Sequence, residues 1–169
     1  MRKRFAESFR KLLPTPNCPY ARHGRSSSGR GGFMTALHIL VAEDESLCAL
    51  GLQMFLEGLG HRVSIAQNGV QAAAHDAADP ADLLVTDIRM PLMNGVALVR
   101  ALRARRPDLP VVVISAVSAE AKPLMELPGV AFIPKPADLM RLRAAIADLT
   151  EARHSPPPAP PHHSFAADH

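Results

Sequence analysis

Several apolar runs in this chain end on a polar residue, and those residues together could do chemistry. Leu83-Leu84-Val85-Thr86 runs into Asp87, which opens the Pro- and Gly-containing turn Ile88 to Gly95. Glu43-Asp44 follow His38-Ile39-Leu40-Val41-Ala42, Ser115 ends Val111-Val112-Val113-Ile114, and Lys135 ends Ala131-Phe132-Ile133-Pro134. Glu43, Asp44 and Asp87 would crowd like charges into one pocket, and a hard divalent cation relieves that repulsion. Mg²⁺ suits the set because it takes oxygen ligands and keeps places for water and phosphate oxygens. A carboxylate can also attack phosphorus to give an aspartyl phosphate. The transferred group needs its oxygens neutralised. Lys135, the Ser115 hydroxyl and the metal can each hold one.

These groups can meet only if their strands are parallel neighbours. From residue 38 onward the pattern alternates strand and helix. Cys48, Leu52, Phe55, Leu56 and Leu59 recur at helical spacing, and Gly60 reads as a helix stop. Val63 to Ala66 reads as a second strand, followed by an Ala-rich helix marked by Val70, Ala73, Ala74 and Ala77. Gly95, Leu98, Val99 and Leu102 mark the next helix. A shorter one around Glu120 to Leu127 contains Pro123, which should break or shorten it. Leu139, Leu142, Ile146 and Leu149 mark the last. Five strands alternating with five helices predict an α/β fold: a doubly wound five-stranded parallel sheet covered on both faces. Ligands of such sheets lie beyond the carboxyl ends of the strands, where all the residues above fall.

Charge is unevenly placed. The net +3 divides into +7 for residues 1–34, which hold 8 Lys and Arg and one acid, and −4 for the rest. A folded part of that balance has no general reason to bind nucleic acid. Residues 1–35 read as a disordered basic leader, with Met34 as a candidate true start. Residues 36–152 read as one domain, and 153–169 as a disordered Pro- and His-rich tail. Gly29-Arg30-Gly31-Gly32 lacks the Lys and hydroxyl residue of a phosphate loop. Cys18 and Cys48 suggest no disulfide framework; Cys48 reads as a small core residue in a reducing compartment. No apolar run approaches the roughly 20 residues that span a bilayer, so the expected location is the cytoplasm. Arg100, Arg103, Arg105 and Arg106 read as a solvated helix face, and His154, His162, His163 and His169 as residues with no organised metal site.

The motifs Val41-Ala42-Glu43-Asp44-Glu45, Thr86-Asp87-Ile88-Arg89-Met90-Pro91, Ile114-Ser115-Ala116 and Phe132-Ile133-Pro134-Lys135-Pro136 follow in order. Over 36–152 this resembles the response-regulator receiver domain of two-component systems, with a flavodoxin-like receiver fold. The resemblance implies that Asp87 accepts a phosphoryl group from a histidine kinase or a histidine phosphotransfer protein. It implies that Glu43, Asp44, Asp87 and the backbone carbonyl of Arg89 arrange Mg²⁺, and that Lys135 contacts the phosphoryl oxygens. Ser115 and Phe132 would be the switch pair. Two departures stand out. Lys135 follows Ser115 by 20 positions, slightly fewer than usual in the family, and Ala137 takes a place where the family commonly has a bulky apolar residue.

Simpler readings compete. Asp87 could cap the following helix, and Glu43-Asp44 could complement a helix macrodipole. A Mg²⁺-dependent phosphatase or phosphotransferase of haloacid-dehalogenase-like type would need a second carboxylate two residues after the nucleophile, where this chain has Arg89. A phosphorylation-independent interaction module would have no need of Asp87, Ser115 and Lys135 together. The expectation is therefore a stand-alone receiver, not an enzyme acting on other molecules. It would have no DNA-binding output domain, and would signal by docking on a downstream protein or by relaying the phosphoryl group.

Overall fold

The computed structural model describes residues 36–116 and 118–154. In chain order they form β1 (His38–Ala42), α1 (Ser46–Gly58), β2 (Arg62–Ala66), α2 (Gly69–Ala78), β3 (Leu83–Thr86), α3 (Gly95–Arg103), β4 (Val111–Ser115), α4 (Ser118–Met125), β5 (Val130–Pro134) and α5 (Leu139–His154). The strands make one parallel sheet in the order β2-β1-β3-β4-β5. Chain order reverses on either side of β1, which is where ligands of doubly wound sheets sit. The expectations for residues 1–35 and 155–169 lie outside the described residues. The last helix runs to His154, slightly past the expected domain end. Among the described residues no helix is long and apolar enough to cross a membrane.

The period-2 alternation of the strands sorts the core into two layers. Leu40, Ala42, Leu84, Val111 and Val113 face α2, α3 and α4, meeting Ala72, Leu98, Val99, Leu102, Ala121 and Leu124. Ile39, Val41, Leu83, Val85, Val112, Ile114 and Ile133 face α1 and α5, meeting Leu52, Leu56, Leu142 and Ile146. β1, β3 and β4 are buried throughout, as continuous apolar runs require. The edge strands β2 and β5 are only half-buried.

Local signals explain most element ends. Gly60, at φ +92, closes α1 in a Schellman turn: its N–H donates to Glu57 O at 2.9 Å and that of His61 to Leu56 O at 3.2 Å. Asn68 and Asn94 cap α2 and α3, each accepting at 2.9 Å from an N–H three residues on. α4 is short, eight residues with Pro123 inside, as the proline foretold, but it is not broken.

Three expectations need correction. Val70 is exposed, and α2 buries Gly69, Ala72 and Asp76 instead. The helix is drawn in by its glycine, because a Cβ at Gly69 would lie 2.6 Å from Met93 O. Asp76 is buried because it accepts from Ala81 N at 3.1 Å and pairs with Arg106. Nor are the arginines a uniform solvated face. Arg106 also donates to Ala81 O at 2.5 Å, while Arg103 binds the carbonyls of Leu109 (2.7 Å), Pro128 (2.8 Å) and Gly129 (3.0 Å). Cys48 is half-buried at the core's edge, with its Sγ 3.5 Å from Glu45 Oε2. Burial, above all, pushes its thiol up to about 11, so it stays protonated near neutral pH.

Candidate functional site

β1, β3, β4 and β5 end at one edge, and main-chain bonds fix the residues just past the ends of β1, β3 and β5. Glu43 N donates to Ala66 O at 3.0 Å, Asp87 N to Ala42 O at 2.9 Å, and Lys135 N to Ser115 O at 3.0 Å. The sheet ladder thus continues one step beyond the strands and sets the origin of each functional side chain. Helix α3 is pressed against the same place. Gly95 N donates to Ile88 O at 2.9 Å, and a Cβ on Gly95 would lie 2.1 Å from Asp87 O. Only glycine allows that approach.

Of the groups expected to converge, Glu43, Asp44, Asp87 and Lys135 lie together. Lys135 Nζ donates to Asp87 Oδ2 at 2.5 Å and to Glu43 Oε2 and Oε1 at 2.8 and 3.1 Å. One carboxylate oxygen from each of Glu43, Asp44 and Asp87 lies within 4.8 Å of the others. Glu43 and Asp87 are buried, with side chains 2% and 9% exposed; Asp44 is open to solvent. Asp87 Oδ1 accepts from Ile88 N at 2.5 Å and Arg89 N at 3.2 Å, and Thr86 Oγ1 donates to Asp87 O at 2.8 Å. Ser115 is buried at the end of β4. Phe132 is partly buried against the α2–α4 layer, in register with Val113.

Electrostatics follow from this crowding. Burial raises Glu43 above the ordinary carboxyl range, and Lys135 only partly offsets it. Burial alone would lower Lys135, but hydrogen bonds and attraction from Asp87 and Glu43 outweigh it and lift the ammonium well above its usual value. It therefore stays charged.

The simpler readings fare poorly. Asn94, not Asp87, caps α3. At α1 the Glu43 carboxylate does accept from the N–H of the N-cap residue Glu45 at 3.3 Å, but it is also bonded to Lys135, so the helix start is not its only partner. Sequence reasoning missed two contacts here. One is the bond from Lys135 to Glu43, since the two are 92 residues apart. The other is the ion pair of Arg89 with Glu120 on α4, 31 residues on. Gly95 was legible as an interior helix position but not as the point where α3 touches the Asp87 main chain.

The arrangement suits an oxygen-loving cation and a phosphoryl group: clustered carboxylates, a fixed ammonium and a buried hydroxyl at one sheet edge. The chain as a whole is similar to known proteins. The family model described as "Response regulator receiver domain" matches residues 39–147. The DNA-binding transcriptional regulator NtrC of Rhizobium meliloti is 36% identical over 126 residues, 73% of this chain and 26% of that protein. The response regulator MprA of Mycobacterium ulcerans is 33% identical over 116 residues, 68% of this chain and 50% of that protein. The chain thus matches between a quarter and a half of these relatives' own length. A response regulator receiver protein from Sinorhizobium medicae superposes with TM-score 0.64 at 30% identity, covering 70% of this chain and 98% of that one. The signal receiver domain of a signal transduction histidine kinase from Syntrophus aciditrophicus does so with TM-score 0.63 at 28% identity, covering 69% and 92%. The chain belongs to the response-regulator receiver domain family of two-component systems.

Proposed function

We propose that Asp87 is the phospho-acceptor of this receiver, taking a phosphoryl group from a histidine kinase or a histidine phosphotransfer protein. The observation that carries this reading is the Lys135 ammonium bonded to both Asp87 and Glu43, beside a third carboxylate, at the carboxyl edge of the sheet. An Asp87 oxygen attacks phosphorus, the P–N bond of the donor phosphohistidine breaks, and its electron pair leaves with the imidazole. Ile88 N–H and Arg89 N–H hold Oδ1 and so orient the carboxylate for attack. Lys135 stays charged, and its ammonium neutralises the oxygens of the transferred group.

The donor set fits Mg²⁺: it is all oxygen, it carries excess negative charge, and it is part buried and part open to water. Glu43, Asp44, Asp87 and the Arg89 carbonyl would hold the ion, which would neutralise phosphoryl charge when bound. Ser115 then turns its hydroxyl toward the phosphoryl group, and Phe132, across the β4–β5 pair, moves with it. The changed surface is read by a downstream protein, or the phosphoryl group is passed on, in the cytoplasm. The chain catalyses only its own phosphorylation and dephosphorylation. The haloacid-dehalogenase-like alternative is disfavoured because Arg89 stands where that chemistry needs a carboxylate, and is itself bound to Glu120.

The test is intact mass after incubation with acetyl phosphate. A Mg²⁺-dependent gain of one phosphoryl group in wild type, absent from Asp87→Asn, supports the reading. A gain retained by Asp87→Asn contradicts it.

A further inference from the structure

The loop after Asp87 is fastened to α4. Arg89 Nε donates to Glu120 Oε1 and Oε2 at 3.2 and 3.0 Å, and a terminal nitrogen of Arg89 donates to Oε1 at 2.5 Å. The main chain of the same residue donates to Asp87 Oδ1 at 3.2 Å. Arg89 therefore touches the acceptor carboxylate with its backbone and α4 with its side chain. Both members of the pair are exposed, at 66% and 40%, so little else holds them together. The helix they secure is short. It carries Pro123, which has no N–H for an intrahelical bond, and it buries Ala121 and Leu124.

We propose that Arg89 is a positioning residue shared between two anions. Glu120 holds its guanidinium before phosphorylation, and the phosphoryl group on Asp87 takes it afterwards, unfastening the start of α4. This rests on Asp87 being the acceptor. The exchange favours the phosphoryl group for three reasons. Its charge is about −1.5 to −2, against one for a carboxylate. It offers oxygens that match the guanidinium fork. An exposed carboxylate pair is a weak competitor. The positive charge of Arg89 already lies in the field of Asp87, which helps to keep it protonated after the larger effect of Glu120. The device adds a charge-driven route from Asp87 to α4, separate from Ser115 and Phe132.

Competition for one guanidinium gives the two partners opposite signs. With Glu120 removed, Arg89 is free for the phosphoryl group; with Arg89 removed, the group loses a partner. Titration of the full chain with beryllofluoride and Mg²⁺, followed by fluorine NMR, reads this directly. Glu120→Gln should bind up to about fivefold more tightly than wild type, and Arg89→Ala more weakly by a similar factor. Arg89→Lys should fall between Arg89→Ala and wild type. Without ligand, α4 amides should exchange faster in both variants. Affinities that move in the same direction in Glu120→Gln and Arg89→Ala, or do not move, overturn the proposal. Intact mass after acetyl phosphate separates the two levels. Wild type that gains no phosphoryl group sinks the Asp87 reading and this proposal with it. A normal gain with same-direction shifts sinks only the shared guanidinium.

Discussion

Replacing Lys135 by Met keeps the length of the side chain and removes its charge. Its ammonium is bonded to two carboxylates, Glu43 and Asp87, whose side chains are 2% and 9% exposed. Removing one member of a buried ion pair costs about 3–5 kcal/mol, because the partner's charge is left uncompensated. Lys135 is itself 24% exposed, which screens the pair in part, so a cost of about 2–3 kcal/mol at pH 7 is expected. The loss should depend on pH in a definite sense. Glu43 already titrates above its ordinary range through burial, and Lys135 opposes that shift. Without Lys135 its folded pKa rises further above the unfolded one. A raised carboxyl contributes stability that is full below the unfolded value and is lost as pH rises through the folded value. The deficit of the Lys135→Met variant should therefore shrink from pH 7 toward about pH 4.5, close to the ordinary carboxyl value. It should also shrink at a fixed Mg²⁺ concentration, because the variant's carboxylates, no longer paired with an ammonium, bind the cation more tightly than those of wild type. Urea unfolding of wild type and Lys135→Met at several pH values, with and without Mg²⁺, measures each quantity. A deficit that is constant with pH and indifferent to Mg²⁺ would refute the coupled-charge picture of the site.

Other perturbations test the supporting structure. Asp76→Ala leaves the Ala81 N–H without its acceptor and Arg106 with only its bond to Ala81 O, and should cost about 2–4 kcal/mol in urea unfolding; a change under about 0.5 kcal/mol would contradict the buried-pair account. Gly95→Ala places a Cβ 2.1 Å from Asp87 O, so α3 must shift. It should cost about 1–3 kcal/mol and slow phosphorylation by acetyl phosphate, and an unchanged rate would show that α3 does not position Asp87. Leu92 is exposed at 84% with φ +66, a conformation that costs an L residue about 1 kcal/mol. Leu92→Gly should raise or leave unchanged the unfolding midpoint, and a marked fall would show that the Leu92 side chain makes a stabilising contact.

Much of this was legible in the sequence because the relevant signals are local. Asp87, Glu43, Ser115 and Lys135 each stand at the end of an apolar run, and parallel strands bring run ends together without further information. Gly60 and the alternating strands were readable for the same reason. The misreadings came from long-range contacts. Val70 sits at a helical spacing that suits a core, but Gly69 allows α2 to close on Met93 with another face inward. Arg103 and Arg106 look like a solvated run until the carbonyls of Gly129 and Ala81 arrive from elsewhere in the chain. Arg89 and Glu120 carry no pattern that pairs them, since a surface ion pair leaves no periodic trace. A buried Asp76 was invisible because its burial depends on Arg106.

The central claim is that Asp87 carries the phosphoryl group, and borohydride trapping tests it most directly. An aspartyl phosphate is reduced to homoserine, a change that tandem mass spectrometry locates by residue. After acetyl phosphate and Mg²⁺, homoserine is expected at position 87 and at no other aspartate. Homoserine at Asp44 or any other aspartate, with none at 87, would contradict the account.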